Sequence, residues 1–168
     1  MLQNYNKWKV LRVFFDQPLA EGGFQLREIG RKIALSLPSL KNYLKQLEKE
    51  GLIQTKKNRV QGYPMYFANI DNYSFKLYKR MDMLARIHES GLLDTIYDSC
   101  QPNVIVLFGS ASRGEDTEKS DIDLFVSSSS EKINLAPFEK ALGRKISLLF
   151  ENKFSKLSKE LKSNIVNG

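Results

Sequence analysis

The stretch that decides the fold of the second half of this chain runs from Val104 to Val126 and reads VIVLFGSASRGEDTEKSDIDLFV. It opens with a run of apolar, mostly β-branched residues at 104–108, which is typical of a buried strand. The run breaks at Gly109-Ser110, and a polar segment then leads to a second strand-like run at 121–126. The pattern predicts two neighbouring strands joined by a short polar connection.

Two carboxylates alternate with apolar residues in the second run, at Asp121 and Asp123. Side chains at i and i+2 of a strand share a face, so the two carboxylates are expected side by side. Adjacent carboxylates raise each other's pKa unless a cation lies between them. Oxygen ligands favour Mg²⁺, which usually brings substrate phosphates with it. The Gly109-Ser110 turn lets backbone N–H groups approach an anion and adds a hydroxyl. A metal pair beside a phosphate-binding turn is what phosphoryl transfer needs.

These motifs resemble the signature of the nucleotidyltransferase superfamily related to DNA polymerase β, and their spacing is closest to its minimal branch. The segments are Gly109-Ser110, Arg113-Gly114 and Ser120-Asp121-Ile122-Asp123-Leu124. The resemblance implies transfer of a nucleoside monophosphate from an NTP to a hydroxyl, with Asp121 and Asp123 as catalytic residues and Mg²⁺ ligands. It implies Gly109, Ser110 and Arg113 as nucleotide-binding residues, although Arg113 fits a helix surface equally well. Minimal relatives are often paired with toxin-like partners, so a protein is one candidate acceptor.

One position departs from the family pattern. A third carboxylate commonly stands on the next strand, in a pattern like Gly-Arg-Lys-Val-Asp-Leu, and this chain has Ser147 there. Glu151 has the right parity, but four residues along a strand span ~13 Å, too far for a side chain to close. The third carboxylate helps to hold the metal and draws the proton from the attacking hydroxyl. The sequence therefore supports a nucleotide site better than it supports turnover.

Composition sets the broad class of the protein. The 168 residues are 42% hydrophobic and 27% charged, as in a folded domain or two small ones. No apolar run approaches the roughly 20 residues of a membrane span, and no signal peptide opens the chain. A single cysteine, Cys100, and a single histidine, His88, exclude a disulfide framework and a multi-histidine metal centre. We expect no membrane partner and a cytoplasmic location.

Charge is divided unevenly along the chain. Residues 1–70 carry 12 Lys and Arg against 5 Asp and Glu, whereas residues 71–168 carry 14 of each. The net charge of +7 therefore lies in the first 70 residues. This asymmetry predicts a polyanion-binding module attached to a neutral one.

The basic segment has the pattern of three helices and a hairpin. Helices are predicted over Asn6–Phe15 and Phe24–Leu35, and a third is capped by Ser36 and stopped by Gly51. Strands are predicted over 52–55 and 65–70, with a basic hairpin tip between them. The pattern resembles a winged helix-turn-helix.

Leucines at helical spacing, Leu37, Leu40, Leu44 and Leu47, are expected to face the core of the third helix. The outward residues are then predicted to contact double-stranded DNA, with Lys on phosphates and Asn and Gln on adenine edges. The predicted contacts are Ser39, Lys41, Asn42, Lys45 and Gln46 on the helix, and Lys56, Lys57 and Arg59 on the hairpin tip. The alternative is a solvated face on a fold that serves protein contacts.

The whole chain is predicted as α+β, with a winged helix-turn-helix at 1–70, a helical connector at 71–100 and a small mixed sheet with flanking helices, the nucleotidyltransferase fold, at 101–168. In the connector, Leu77, Met81, Leu84 and His88 are spaced for one face. That face serves core packing, docking of the two modules or a homodimer. Two functions remain open: a DNA-binding nucleotidyltransferase, or a catalytically impaired transcription regulator that uses the fold as a sensor or scaffold.

Overall fold

The computed structural model describes residues 5–58 and 62–167. The chain divides into two compact units, Met1–Lys79 and Arg80–Gly168, and the division falls inside the predicted connector. The secondary structure is mixed, with helices and two separate three-stranded sheets, as the predicted α+β class requires. Within the described ranges, every helix falls short of the length and apolarity that a membrane crossing needs.

The first unit contains three helices and an antiparallel sheet of order β1-β3-β2. Its elements are α1 (Asn6–Asp16), β1 (Phe24–Gln25), α2 (Leu26–Ile33), α3 (Leu37–Lys49), β2 (Ile53–Lys57) and β3 (Pro64–Ala68), followed by the start of α4 (Tyr73–Glu89). Apolar side chains from all three helices share one core with Phe24 and Ile53. This core fixes which face of α3 points outward.

Local signals place α3 where the sequence predicted it. Ser36 caps the helix by accepting the N–H of Ser39, and Pro38 occupies the first turn. The helix ends before Gly51, whose φ of +72° is the left-handed conformation that glycine adopts at low cost. Leu40, Leu44 and Leu47 are buried, but the prediction that Leu37 joins them is wrong, since it is 39% exposed.

The second predicted helix is shorter than expected. Phe24 and Gln25 form β1 and pair with Tyr66 and Met65, so α2 begins only at Leu26. The Gln25 N–H then donates to the Glu28 carboxylate at 3.4 Å, which closes the first turn. Periodicity within the segment could not reveal a pairing with a strand some 40 residues away.

The second unit is built on a mixed sheet of order β4-β5-β6, with β5 antiparallel to β4 and parallel to β6. Its elements are α5 (Leu92–Cys100), β4 (Ile105–Phe108), α6 (Gly109–Arg113), β5 (Ile122–Val126), α7 (Ala136–Leu142), β6 (Ile146–Phe150) and α8 (Lys159–Asn167), together with the rest of α4. The predicted small mixed sheet is confirmed. Ile122, Leu124 and Val126 are buried as the alternation predicted, whereas β4 lies at the sheet edge and is only half-buried.

Two helical predictions in this half need correction. The expected final helix, 154–166, is a 3-10 turn at Phe154–Lys156 followed by the separate α8. On α4, the residues expected to share a packed face are exposed, and the helix buries Phe75, Met83 and Ile87 instead. The exposed set is Leu77, Met81, Leu84 and His88. The error arises because a long helix offers two apolar stripes, and spacing alone does not say which of them is covered.

Candidate functional site

The two predicted carboxylates lie at the start of β5, the central strand of the second sheet. Asp123 pairs with Phe108 on β4 and with Ser147 on β6, so its side chain has a neighbour on each side. Asp121 is exposed and directly precedes the strand. The register therefore places Ser147 beside the carboxylates, as the alternation of β6 predicted.

The predicted turn after β4 is the start of α6, and it approaches Asp123 closely because residue 109 is glycine. Gly109 has a φ of +74°, and a Cβ built on it would lie 2.6 Å from Asp123 Oδ2. Any side chain there would both strain the backbone and displace the carboxylate. Ser110 follows in α6 and is half-buried. The predicted phosphate-binding residue Gly109 therefore lies directly against the predicted metal ligand Asp123.

The electrostatics of Asp123 suit a cation. Burial raises the pKa of the Asp123 carboxyl, the charge of Asp121 raises it further, and a hydrogen bond with the Ser147 side chain lowers it; the net shift is upward. The charged form of Asp123 is therefore disfavoured unless a cation binds beside it. Two carboxylates with a neighbouring hydroxyl are also a donor set that fits Mg²⁺, which commonly takes one or two protein carboxylates and completes its shell with water and phosphate.

A third acidic ligand is not found at this position. Among residues 5–58 and 62–167, no three His, Cys, Asp or Glu side chains come together as a metal site. Glu151 follows the end of β6 where Phe150 pairs with Val126, so it lies at the opposite end of the strand from Ser147. The sheet register agrees with the expectation that Glu151 does not replace the missing aspartate.

Arg113 lies on the surface and forms an ion pair with Glu115. Its guanidinium Nε donates to Glu115 at 3.0 Å, and both side chains are more than 40% exposed. The alternative of a helix-surface residue therefore has geometric support, while a nucleotide contact by Arg113 stays a prediction.

Sequence reasoning missed a buried ion pair that contacts Ser120, the residue directly before Asp121. Arg144 Nη1 donates to Asp116 Oδ2 at 2.9 Å, and Arg144 Nε donates to the Ser120 carbonyl. Arg144 was visible only as part of the Gly-Arg-Lys pattern, and Asp116 as one of several acidic residues in a polar connection. The contact spans 28 residues, so no local pattern signals it.

A cavity of about 260 Å³ in the second unit is not part of this site. Leu107 and Leu124 line it, and side chains of adjacent strand positions point to opposite faces. The cavity therefore lies on the face away from Asp123. Of the two carboxylates, Asp121 is exposed and Asp123 is half-buried.

The predicted DNA contacts on α3 are available for binding. Ser39, Lys41, Asn42 and Lys45 are exposed, and Gln46 is half-buried. Lys56 and Lys57 are exposed as well, but they belong to β2 and pair with Met65 and Pro64 rather than lying at the hairpin tip. Arg59 lies outside the described residues.

The raised pKa of Asp123 predicts a stability effect of Asp123→Asn. The folded metal-free protein keeps a proton on Asp123 at pH values where the unfolded chain has lost it. Its free energy of unfolding therefore falls as pH rises from the ordinary value of 3.8 through the raised pKa, and the deficit persists at neutral pH. The variant should melt above the parent at pH 7 without metal, and the difference should shrink towards pH 3. Thermal melts from pH 3 to pH 7 measure this difference in melting temperature, with Asp98→Asn as the control because Asp98 is exposed. An Asp123→Asn variant that melts below the parent at every pH would contradict the prediction.

Family comparisons agree with the two-part organisation. Residues 94–168 match the family model described as Nucleotidyltransferase domain, and residues 4–54 match the model described as Winged helix-turn-helix DNA-binding. The first match contains the mixed sheet with Asp121 and Asp123, and the second contains α1 to α3. Searches among curated proteins and among solved structures found no significant match. Both resemblances drawn from the motifs are confirmed.

Proposed function

We propose that this chain, in which a winged helix-turn-helix domain precedes a nucleotidyltransferase domain, binds duplex DNA and also binds Mg²⁺–NTP for transfer of a nucleoside monophosphate to a hydroxyl. The observation that carries the nucleotide part is the contact between Gly109 and Asp123. Gly109 has a positive φ, and a Cβ at this position would collide with the Asp123 carboxylate. This close approach supports the proposal that the glycine segment and the carboxylate act together.

Each residue has a defined role in the proposal. Asp121 and Asp123 would hold Mg²⁺, while Gly109 and Ser110 hold the triphosphate and Arg113 steadies its negative charge. Bound Mg²⁺ supplies neutralisation of the charge that develops on the transferring phosphoryl group. The acceptor hydroxyl attacks the α-phosphorus, and pyrophosphate leaves. A protein, such as a toxin-like partner, is the proposed source of the acceptor hydroxyl, since Asp121 is exposed.

The geometry of Ser147 limits the rate. Ser147 pairs with Asp123 in the parallel register, but it offers no carboxylate to draw the proton from an attacking hydroxyl. We therefore expect slow nucleotidyl transfer, whereas binding of Mg²⁺–NTP does not depend on a general base.

A second candidate function follows from the same residue. If Ser147 abolishes turnover, the Mg²⁺–NTP site serves as a sensor that reports nucleotide binding to the DNA-binding unit, in a transcription regulator. Labelled ATP, GTP, CTP and UTP with Mg²⁺ separate the two: pyrophosphate release and labelled acceptor identify an enzyme, and binding without release identifies a sensor.

The double variant Asp121→Asn/Asp123→Asn is expected to bind Mg²⁺–NTP at least about 100-fold more weakly than the parent. The reason is that both charged ligands are lost, whereas removing even a supporting residue typically costs 10–100-fold in metal affinity. Calorimetry with each NTP measures the change. The matched control is Asp94→Asn/Asp98→Asn, which removes two exposed carboxylates on α5. Equal affinity in the parent and the site variant would show that the site is misplaced.

A further inference from the structure

The connection between α6 and β5 brings Asp121 to the site without a strand to hold it. Asp121 precedes β5, and the ladder contact at Ile122, whose N–H donates to the Lys145 carbonyl at 2.8 Å, comes after it. Within the connection, the Thr117 N–H donates to Ser120 Oγ at 2.9 Å, which closes a local turn. That turn shapes the segment but does not attach it to the sheet.

Arg144 supplies the attachment. It lies between α7 and β6, and its guanidinium reaches two points of the connection: the Asp116 carboxylate and the Ser120 carbonyl. Ser120 is the residue directly before Asp121. The planar guanidinium holds its donors in a fixed fork, so it sets the distance between the two points as well as their position.

The burial of the pair argues against a purely stabilising role. The Asp116 side chain is 1% exposed and that of Arg144 is 9% exposed, and Arg144 Nη2 is buried without a hydrogen-bond partner among the described residues. Removing two charges from water costs about as much as their attraction returns, and apolar residues of similar size often stabilise a protein more. An ion pair with an unmet donor is therefore better explained by the geometry that it imposes.

We propose that Arg144 and Asp116 are positioning residues that hold Asp121 beside Asp123 for the metal. This inference rests on the proposed Mg²⁺–NTP site and adds the element that aligns it. Neither side chain touches the nucleotide. Both act through the Ser120 carbonyl and the backbone that leads into Asp121.

The test replaces the pair without leaving a buried charge. Asp116→Leu/Arg144→Met keeps the interior apolar and is expected to fold. Its affinity for Mg²⁺–NTP should fall by about 10-fold or more, as is typical when a group that orients a metal ligand is lost. The control is Lys145→Met, which removes a positive charge at the residue next to Arg144, where the Lys145 side chain is 78% exposed. Arg144→Lys keeps the positive charge on a single donor nitrogen but not the planar fork, so its affinity for Mg²⁺–NTP should lie between those of the parent and the pair variant.

A double-mutant cycle distinguishes positioning from general damage. If the pair acts through Asp121, replacing it in an Asp121→Asn background should change Mg²⁺–NTP affinity little, measured at nucleotide concentrations raised to suit the weaker variant. The same fold loss in both backgrounds, or unchanged affinity in a folded pair variant, would overturn the proposal.

Amide hydrogen exchange provides a readout that does not need nucleotide. The amides of 117–122 should exchange faster in the pair variant, while those of 147–149 on β6 stay protected. A parent that binds no Mg²⁺–NTP would refute the proposed function, and exchange would still decide whether the pair fixes this segment. Unchanged exchange at 117–122 would refute the positioning role by itself.

Discussion

Duplex DNA binding by the full chain is expected to weaken about 500-fold when the salt concentration rises fourfold, from about 50 to 200 mM. Five cationic side chains are proposed to contact phosphates. They are Lys41, Lys45, Lys56, Lys57 and Arg59. Each neutralised phosphate changes the slope of log affinity against log salt by about −0.9, so five contacts give a slope of about −4.5. Fluorescence anisotropy with a labelled duplex over this salt range measures the slope.

Replacing Lys56, Lys57 and Arg59 together should flatten this dependence. In Lys56→Ala/Lys57→Ala/Arg59→Ala the slope should fall to about −1.8, because only two of the five contacts remain. The matched control, Lys132→Ala/Lys140→Ala/Lys153→Ala, removes three exposed lysines from the second unit and should leave the slope unchanged. Salt-independent binding by the parent, or equal flattening in both triple variants, would show that these three residues do not contact phosphates.

The residues proposed for the DNA interface could be found from the sequence because their signals are local. Ser36 as a cap, Gly51 as a stop and leucines at helical spacing identify the outward face of α3 without knowledge of the rest of the fold. Lys56 and Lys57 were misplaced by a few residues because the extent of a hairpin depends on cross-strand pairing, here with Met65 and Pro64. Their exposure is unaffected, so the functional prediction survives this error.

In the candidate metal site, local patterns predicted the faces of the strands but not the contacts between them. Strand alternation predicted that Asp121, Asp123 and Ser147 share a face, because period-2 alternation is a property of each strand alone. The parallel register pairs Ser147 with Asp123, which lie 24 positions apart in the chain. Strand alternation alone does not determine that pairing. The contact between Asp116 and Arg144 has no periodic signature and required the folded chain.

Ser147→Asp is expected to raise nucleotidyl transfer by about 10²- to 10⁴-fold, the range that a positioned general base contributes. The parallel register sets residue 147 directly beside Asp123, and side chains at paired positions lie on the same face of the sheet. An aspartate there would add a metal ligand and a base beside the acceptor hydroxyl. Pyrophosphate release at saturating Mg²⁺–NTP, measured for parent and variant, gives the ratio. Ser147→Asn is the control because it matches the size of aspartate without its charge.

The same substitution should make the stability of the protein depend more strongly on Mg²⁺ than that of the parent does. A third carboxylate beside Asp123 adds repulsion to a group whose pKa is already raised by burial and by Asp121, so the metal-free variant should melt below the parent at neutral pH. Mg²⁺ binds the folded state and should restore the loss, whereas Ser147→Asn should show neither the loss nor the recovery. A parent that already turns over rapidly would contradict the limiting role of Ser147. A Ser147→Asp variant with unchanged transfer and a Mg²⁺-dependent melting shift no larger than the parent's would show that residue 147 does not reach the metal. Nucleotide sensing would then remain as the function of the site.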